Sequence, residues 1–173
     1  METTVTTPAT KGIVLGLILV VLALASYFLD LEANKPLQYT SYIIFLGGII
    51  GSVVLYGKQI DNQSTFGNYF AHGFKVSAIV TAIMVVYILI LIFLFPDFKE
   101  KALEISHKAM VDRNMKQEDI DMGMEWTKKL FVPILLATTV FGYLFFGVVA
   151  SLLGAAFTKK NPVHHFDNLE QNN

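Results

Sequence analysis

Four runs in this 173-residue chain hold no charged side chain over a bilayer-spanning length: Gly12–Leu29, Tyr39–Gly57, Val76–Phe95 and Leu130–Phe157. A helix needs about 20 apolar residues to cross the hydrocarbon core. The first two runs sit near the short limit, the third is central, and the fourth is long enough to tilt. Lipid offers no partner for an open sheet edge, so each run must satisfy its backbone internally as a helix. The fold class expected is an all-α integral membrane protein with four transmembrane helices.

Composition agrees. Hydrophobic residues make up 54% and charged residues 16%, and the mean hydropathy is +0.54. That balance belongs to membrane chains. The net charge is −1 and Arg113 is the sole arginine, which leaves no clustered basic face for nucleic acid. The absence of cysteine excludes disulfides, thiolate nucleophiles and Cys-ligated metals.

The first run also resembles a signal peptide, with Lys11 ahead of "GIVLGLILVVLALAS" and an A-x-A pattern at Ala23–Ala25. The apolar run continues through Tyr27, Phe28 and Leu29 without a polar break, so retention as the first span is expected. Residues 1–11 read as a polar tail, 12–158 as one membrane domain, and 159–173 as a second polar tail. Gly47, Gly51 and the parallel pair Gly48, Ser52 in span two have four-residue spacing, as do Gly147, Ser151 and Ala155 in span four. Small residues at this interval let helix backbones approach. Packing inside the bundle is the reading preferred over a dimer face.

Between Pro96 and span four lies an amphipathic connection, residues 97–129. Asp97 and Glu100 have the spacing of a capping box. Phe98, Ala102, Ile105 and Ala109 then share one helix face, and Asn114 is placed as the break before a second helix near Lys116–Lys129. Ile120, Met124 and Phe131 share a face of that second helix, with Met122 and Trp126 beside them, and Pro133 kinks or restarts the helix where span four begins. Seven bases and eight acids mix across the connection, which suits an interface-lying or protein-facing hairpin rather than a polybasic lipid anchor. Lys11 before span one and Lys159-Lys160 after span four place both termini in the cytoplasm. The bases of the connection pull the other way.

The stretch "QSTFGNYFAHGFKVSAIV", Gln63–Val80, holds the candidate site. With Thr65 as N-cap, Phe66, Tyr69, Phe70, Gly73 and Phe74 fall on one face, and Asn68, His72 and Lys75 on the opposite one. Taken with this entry, span three runs over 74–95. The plain reading is an aromatic lead-in at the headgroup level with Lys75 snorkelling to the interface. The sharper reading is a ligand-binding face of Asn68, His72 and Lys75 for an anionic headgroup or phosphate.

Elsewhere the residues point away from chemistry. His164-His165, with only Asp167 nearby, falls short of the three or four ligands zinc requires, and His107 lies on a charged helix face. The four runs contain no Asp, Glu, His, Arg, Asn or Gln, groups that ion-coupled carriers place at membrane depth. Ser26, Ser52, Ser77, Thr81, Thr138, Thr139 and Ser151 supply hydroxyls, without a base to activate them. No cofactor, metal or catalytic residue is expected.

"YGKQIDNQSTFGNYFAHGFKVS", "FPDFKEKALE", "NMKQEDIDMGMEWTKKLFVPIL" and "SLLGAAFTKKNP" together resemble the bacterial Domain of Unknown Function family number 4199, from about Gly12 to Pro162. One departure is Lys116, where the family pattern leads one to expect a Ser or Thr cap. The resemblance implies a small four-helix protein of the Gram-negative envelope, in the inner membrane, and brings no activity or cofactor. The function expected is a non-catalytic accessory or scaffold component, whose partners are the bilayer, other envelope proteins or a second copy. The alternative is lipid or small-solute handling at the start of span three.

Overall fold

The computed structural model describes residues 5–31 and 34–160. The tail bearing His164, His165 and Asp167, and the Asn161-Pro162 stop, lie outside the described residues. Six helices follow one another: α1 (Pro8–Phe28), α2 (Lys35–Gln59), α3 (Phe66–Leu94), α4 (Asp97–Asp112), α5 (Gln117–Lys129) and α6 (Phe131–Phe157). No strand occurs among the described residues. Four of the helices, α1, α2, α3 and α6, are long and apolar enough to cross a membrane.

Three of these begin earlier than the uncharged runs, because local caps decide the start. Thr7 accepts from the Thr10 amide at 3.2 Å, with Pro8 in the first turn where its missing N–H costs nothing. Helix α1 therefore starts at Pro8 rather than Gly12, taking in part of the expected tail. Asn34 caps α2 through the Leu37 amide at 3.2 Å, and Thr65 caps α3 through Asn68. Where turns demand positive φ, Asp or Asn supplies it: Asp30, Asp61, Asn62 and Asn114. These side chains tolerate the left-handed region better than most, and Asn114 breaks α4 from α5 where the sequence places it.

The capping box at Asp97 does not form. Pro96 takes helical angles, φ −55° and ψ −35°, so Asp97 is already the first helical residue. The carbonyls of Phe95 and Pro96 accept the amides of Phe98 and Lys99 at 3.0 and 3.2 Å. Asp97 and Glu100 still lie in the first turn, where negative charge favours the helix dipole. At the other end of the connection, Leu130 closes α5 and opens α6. Pro133 thus lands in a first turn, where no amide is needed, and restarts the helix.

Helix α3 is the centre of the bundle, packed on α1, α2 and α6. Its inward stripe includes Tyr69, Val76, Val80, Met84 and Leu91, which meet Leu15, Leu19, Phe45, Ile49, Val53 and Ala150 of the other three helices. The tightest seam joins α3 to α6. Gly147 backs directly onto Ser77, and a Cβ at Gly73 would lie 2.8 Å from the Ser151 hydroxyl. Such backbone approach replaces a hydrophobic driving force that apolar helices lack among lipid tails. Gly48 likewise seats Leu15, whereas Gly47 and Gly51 face open space. The small-residue spacing in span two thus serves two different surfaces.

Helix α4 docks through an aromatic cluster at one end of the bundle. Tyr27 lies 5.3 Å from Phe95 and 6.1 Å from Phe98, and Phe98 lies 6.4 Å from Phe131. An ion pair between Lys101 and Asp30 adds to it. Among the described residues α4 has no buried side chain and α5 has only Ile120.

Candidate functional site

The end of the bundle away from α4 gathers a polar cluster around Lys11. Thr7 starts α1 one turn earlier, and α1 then runs close to α3 because Gly12 has no side chain: a Cβ there would lie 2.8 Å from that of Ile79. The approach brings Lys11 to three acceptors. Its ammonium donates to the Ser52 carbonyl at 3.1 Å, to Gln59 Oε1 at 3.4 Å and to His72 Nε2 at 3.4 Å. An ammonium carries three donors and no acceptor, so the inventory matches. It also requires His72 Nε2 to present its lone pair, with the proton on Nδ1.

The surrounding groups hold this arrangement. The His72 ring stacks on Tyr56, centroids 4.1 Å apart and planes 11° from parallel. Lys11 Nζ lies 5.6 Å from the Tyr56 centroid, within cation–π range. Gln59 Oε1 also accepts from the Thr6 amide and hydroxyl at 3.2 and 3.0 Å, fastening the segment before α1 to the end of α2. None of the partners of Lys11 among the described residues is a carboxylate.

Of Asn68, His72 and Lys75, only His72 is buried, at 5% exposure. Asn68 is exposed; its side-chain amide donates to Ser64 at 3.1 Å and its backbone amide to the Thr65 cap. Lys75 is exposed and has no hydrogen bond or ion pair among the described residues. The inward stripe of α3 runs through Tyr69, His72, Gly73 and Val76. It cuts across both of the faces drawn from the sequence and leaves Phe66 and Phe74 outside. Lys11, read in the sequence only as a topology marker, is the cation that reaches His72. Its lack of any nearby acid was the available signal, but the pairing of α1 with α3 was not legible.

A cavity of about 280 Å³ lies at the opposite end, with Ser26, Ser41, Tyr42, Tyr87 and Tyr143 in its wall and Phe98 of α4 beside it. Ser26 and Ser41 donate to the carbonyls of Leu22 and Leu37 at 2.8 and 3.2 Å, so their hydroxyls are engaged within their own helices. Thr81, Ser151 and Thr158 do the same, while Ser77 reaches across to the Tyr143 carbonyl at 3.2 Å. These hydroxyls act as internal packing groups. Among the described residues no group of three or more His, Asp or Glu side chains converges on a point.

Fold and site together define an all-helical protein with four long apolar helices and a polar cluster at one end. The chain belongs to the family described as a protein of unknown function, DUF4199, whose model matches residues 10–160. No curated protein and no solved structure matches it.

Proposed function

We propose that this is a non-catalytic accessory or scaffold protein of a bacterial inner membrane, which spans the bilayer four times and presents the α4–α5 hairpin to a partner protein. The outward faces of the long helices support the membrane placement: Val21, Phe28, Phe93, Phe141 and Phe157 are all exposed, a surface too apolar for water. Both termini lie in the cytoplasm. Lys11, Lys58, Lys75, Lys159 and Lys160 flank the long helices at that end and support this side as positive flanks do, against the pull of the bases in the α4–α5 connection.

The observation behind the scaffold reading is how the hairpin is held. The Tyr27, Phe95, Phe98 and Phe131 cluster anchors one edge of it, yet Met122 and Trp126 stay 54% and 57% exposed on α5. Trp and Met are residue types enriched at protein interfaces. A photo-crosslinking residue at Trp126, compared with one at lipid-facing Phe141, tests this in native membranes. A discrete protein adduct from position 126 alone is expected. Lipid adducts only, from both positions, would overturn it.

A further inference from the structure

A second surface, on the other side of the molecule from any role of the hairpin, has the chemistry of a lipid site. Between α1 and α2, toward the Lys11 end, lies an open groove of about 390 Å³. Its walls are Val14, Leu15, Ile18 and Leu55, and its floor is Gly48 and Gly51. Along α1 it runs from Lys11 to Ile18, about two turns or ~10 Å. Gly51 makes the space: a Cβ there would meet nothing within 4 Å.

The head of the groove is polar. Lys11 and Thr10 border it, the Thr10 hydroxyl sharing a hydrogen bond of 3.1 Å with that of Thr7. So does Ser52, which is only 7% exposed and whose hydroxyl has no hydrogen-bond partner among the described residues. Lys11 spends its donors on neutral groups, so its positive charge is left uncompensated within the described chain.

We propose that this groove holds one anionic phospholipid, its phosphate at Lys11 and Thr10 and one acyl chain lying against Gly51 between Val14, Ile18 and Leu55. Charge selects this occupant over a second copy of the chain. Two copies inserted in the same orientation would bring their basic ends together across the groove, whereas a phosphate neutralises Lys11. The acyl chain covers apolar walls that the protein leaves open, and the headgroup stays at the depth where Lys11 already reaches the interface.

Native mass spectrometry of the full-length protein in mild detergent tests the proposal, with phosphatidylglycerol and phosphatidylcholine of identical chains as probes. Parent protein should retain phosphatidylglycerol in preference to phosphatidylcholine by about fivefold, the factor one lysine contributes near an anionic surface. Lys11→Gln should bring the two lipids to parity, and Lys11→Arg should keep the preference. Gly51→Phe fills the groove at a position where the fold has room, and should weaken retention of both lipids without altering thermal stability. Unchanged lipid retention in Gly51→Phe would overturn the assignment. So would loss of the preference on adding inorganic phosphate, which would show a site for free anion. A dimer abolished by Gly51→Phe would give the groove to a second copy instead. If Lys11→Gln fails to fold, Lys11→Arg and Gly51→Phe decide by themselves.

Discussion

Lys11 and His72 stand 61 residues apart in sequence and meet at 3.4 Å, the ammonium facing an imidazole nitrogen. The contact ties the first turn of α1 to the start of α3 and, through Gln59, to the end of α2. A cation in this position holds three helices together without any acid. Its cost is a charge that must remain near water or an anion.

His72→Phe preserves the stack on Tyr56 and removes the acceptor. A hydrogen bond of this length sits at the weak end for charged donors. We expect a loss of about 1 kcal/mol, or ~2–4 °C in melting temperature for a chain of this size. His72→Gln keeps an acceptor and should lose less than half as much. Thermal unfolding in detergent measures both, and a Phe variant as stable as the parent would show that the contact contributes nothing.

Gly147 and Gly51 separate the two uses of small residues. Gly147 lies against Ser77, while Gly51 opens onto space. Gly147→Val should cost about 1–3 kcal/mol or more through overpacking of the α3–α6 seam. Gly51→Val should leave stability unchanged. Size-exclusion profiles and melting curves of the two variants decide it; equal losses would mean that Gly51 is also packed.

Phe98 holds α4 to Tyr27 and Phe131, two aromatic contacts worth about 0.5–1.5 kcal/mol each. Phe98→Ala should therefore speed amide exchange across α4 by roughly tenfold, a 1.4 kcal/mol change in opening, and leave α1 and α3 protected. Uniformly faster exchange would instead place Phe98 in the stability of the whole bundle.

Much of this architecture could be read from residues alone. The long helices are legible because an uncharged run of that length has one backbone solution in lipid. Thr65 as a cap and Asn114 as a break depend only on neighbouring residues and were equally legible. The Asp97 cap was not, because Pro96 adopts helical angles that no spacing rule reveals. Within the site, His72 was legible as a polar residue entering a span. Its partner was not, since hydropathy assigns a helix to the membrane without saying which face turns inward or which helix it meets. The same blindness hid the difference between Gly48, seated on Leu15, and Gly51.

The topology itself rests on single cysteines placed at Val5, Asp61 and Asn114 in a chain that has no cysteine of its own. A membrane-impermeant thiol reagent, admitted to the periplasm of intact cells, should label position 114 and reach 5 and 61 only after lysis. That pattern places α4 and α5 across the bilayer from both the start of α1 and the α2–α3 turn. Labelling of 5 and 61 but not 114 would reverse the orientation, and labelling of 5 and 114 alike would refute a bundle whose four long helices all cross the membrane.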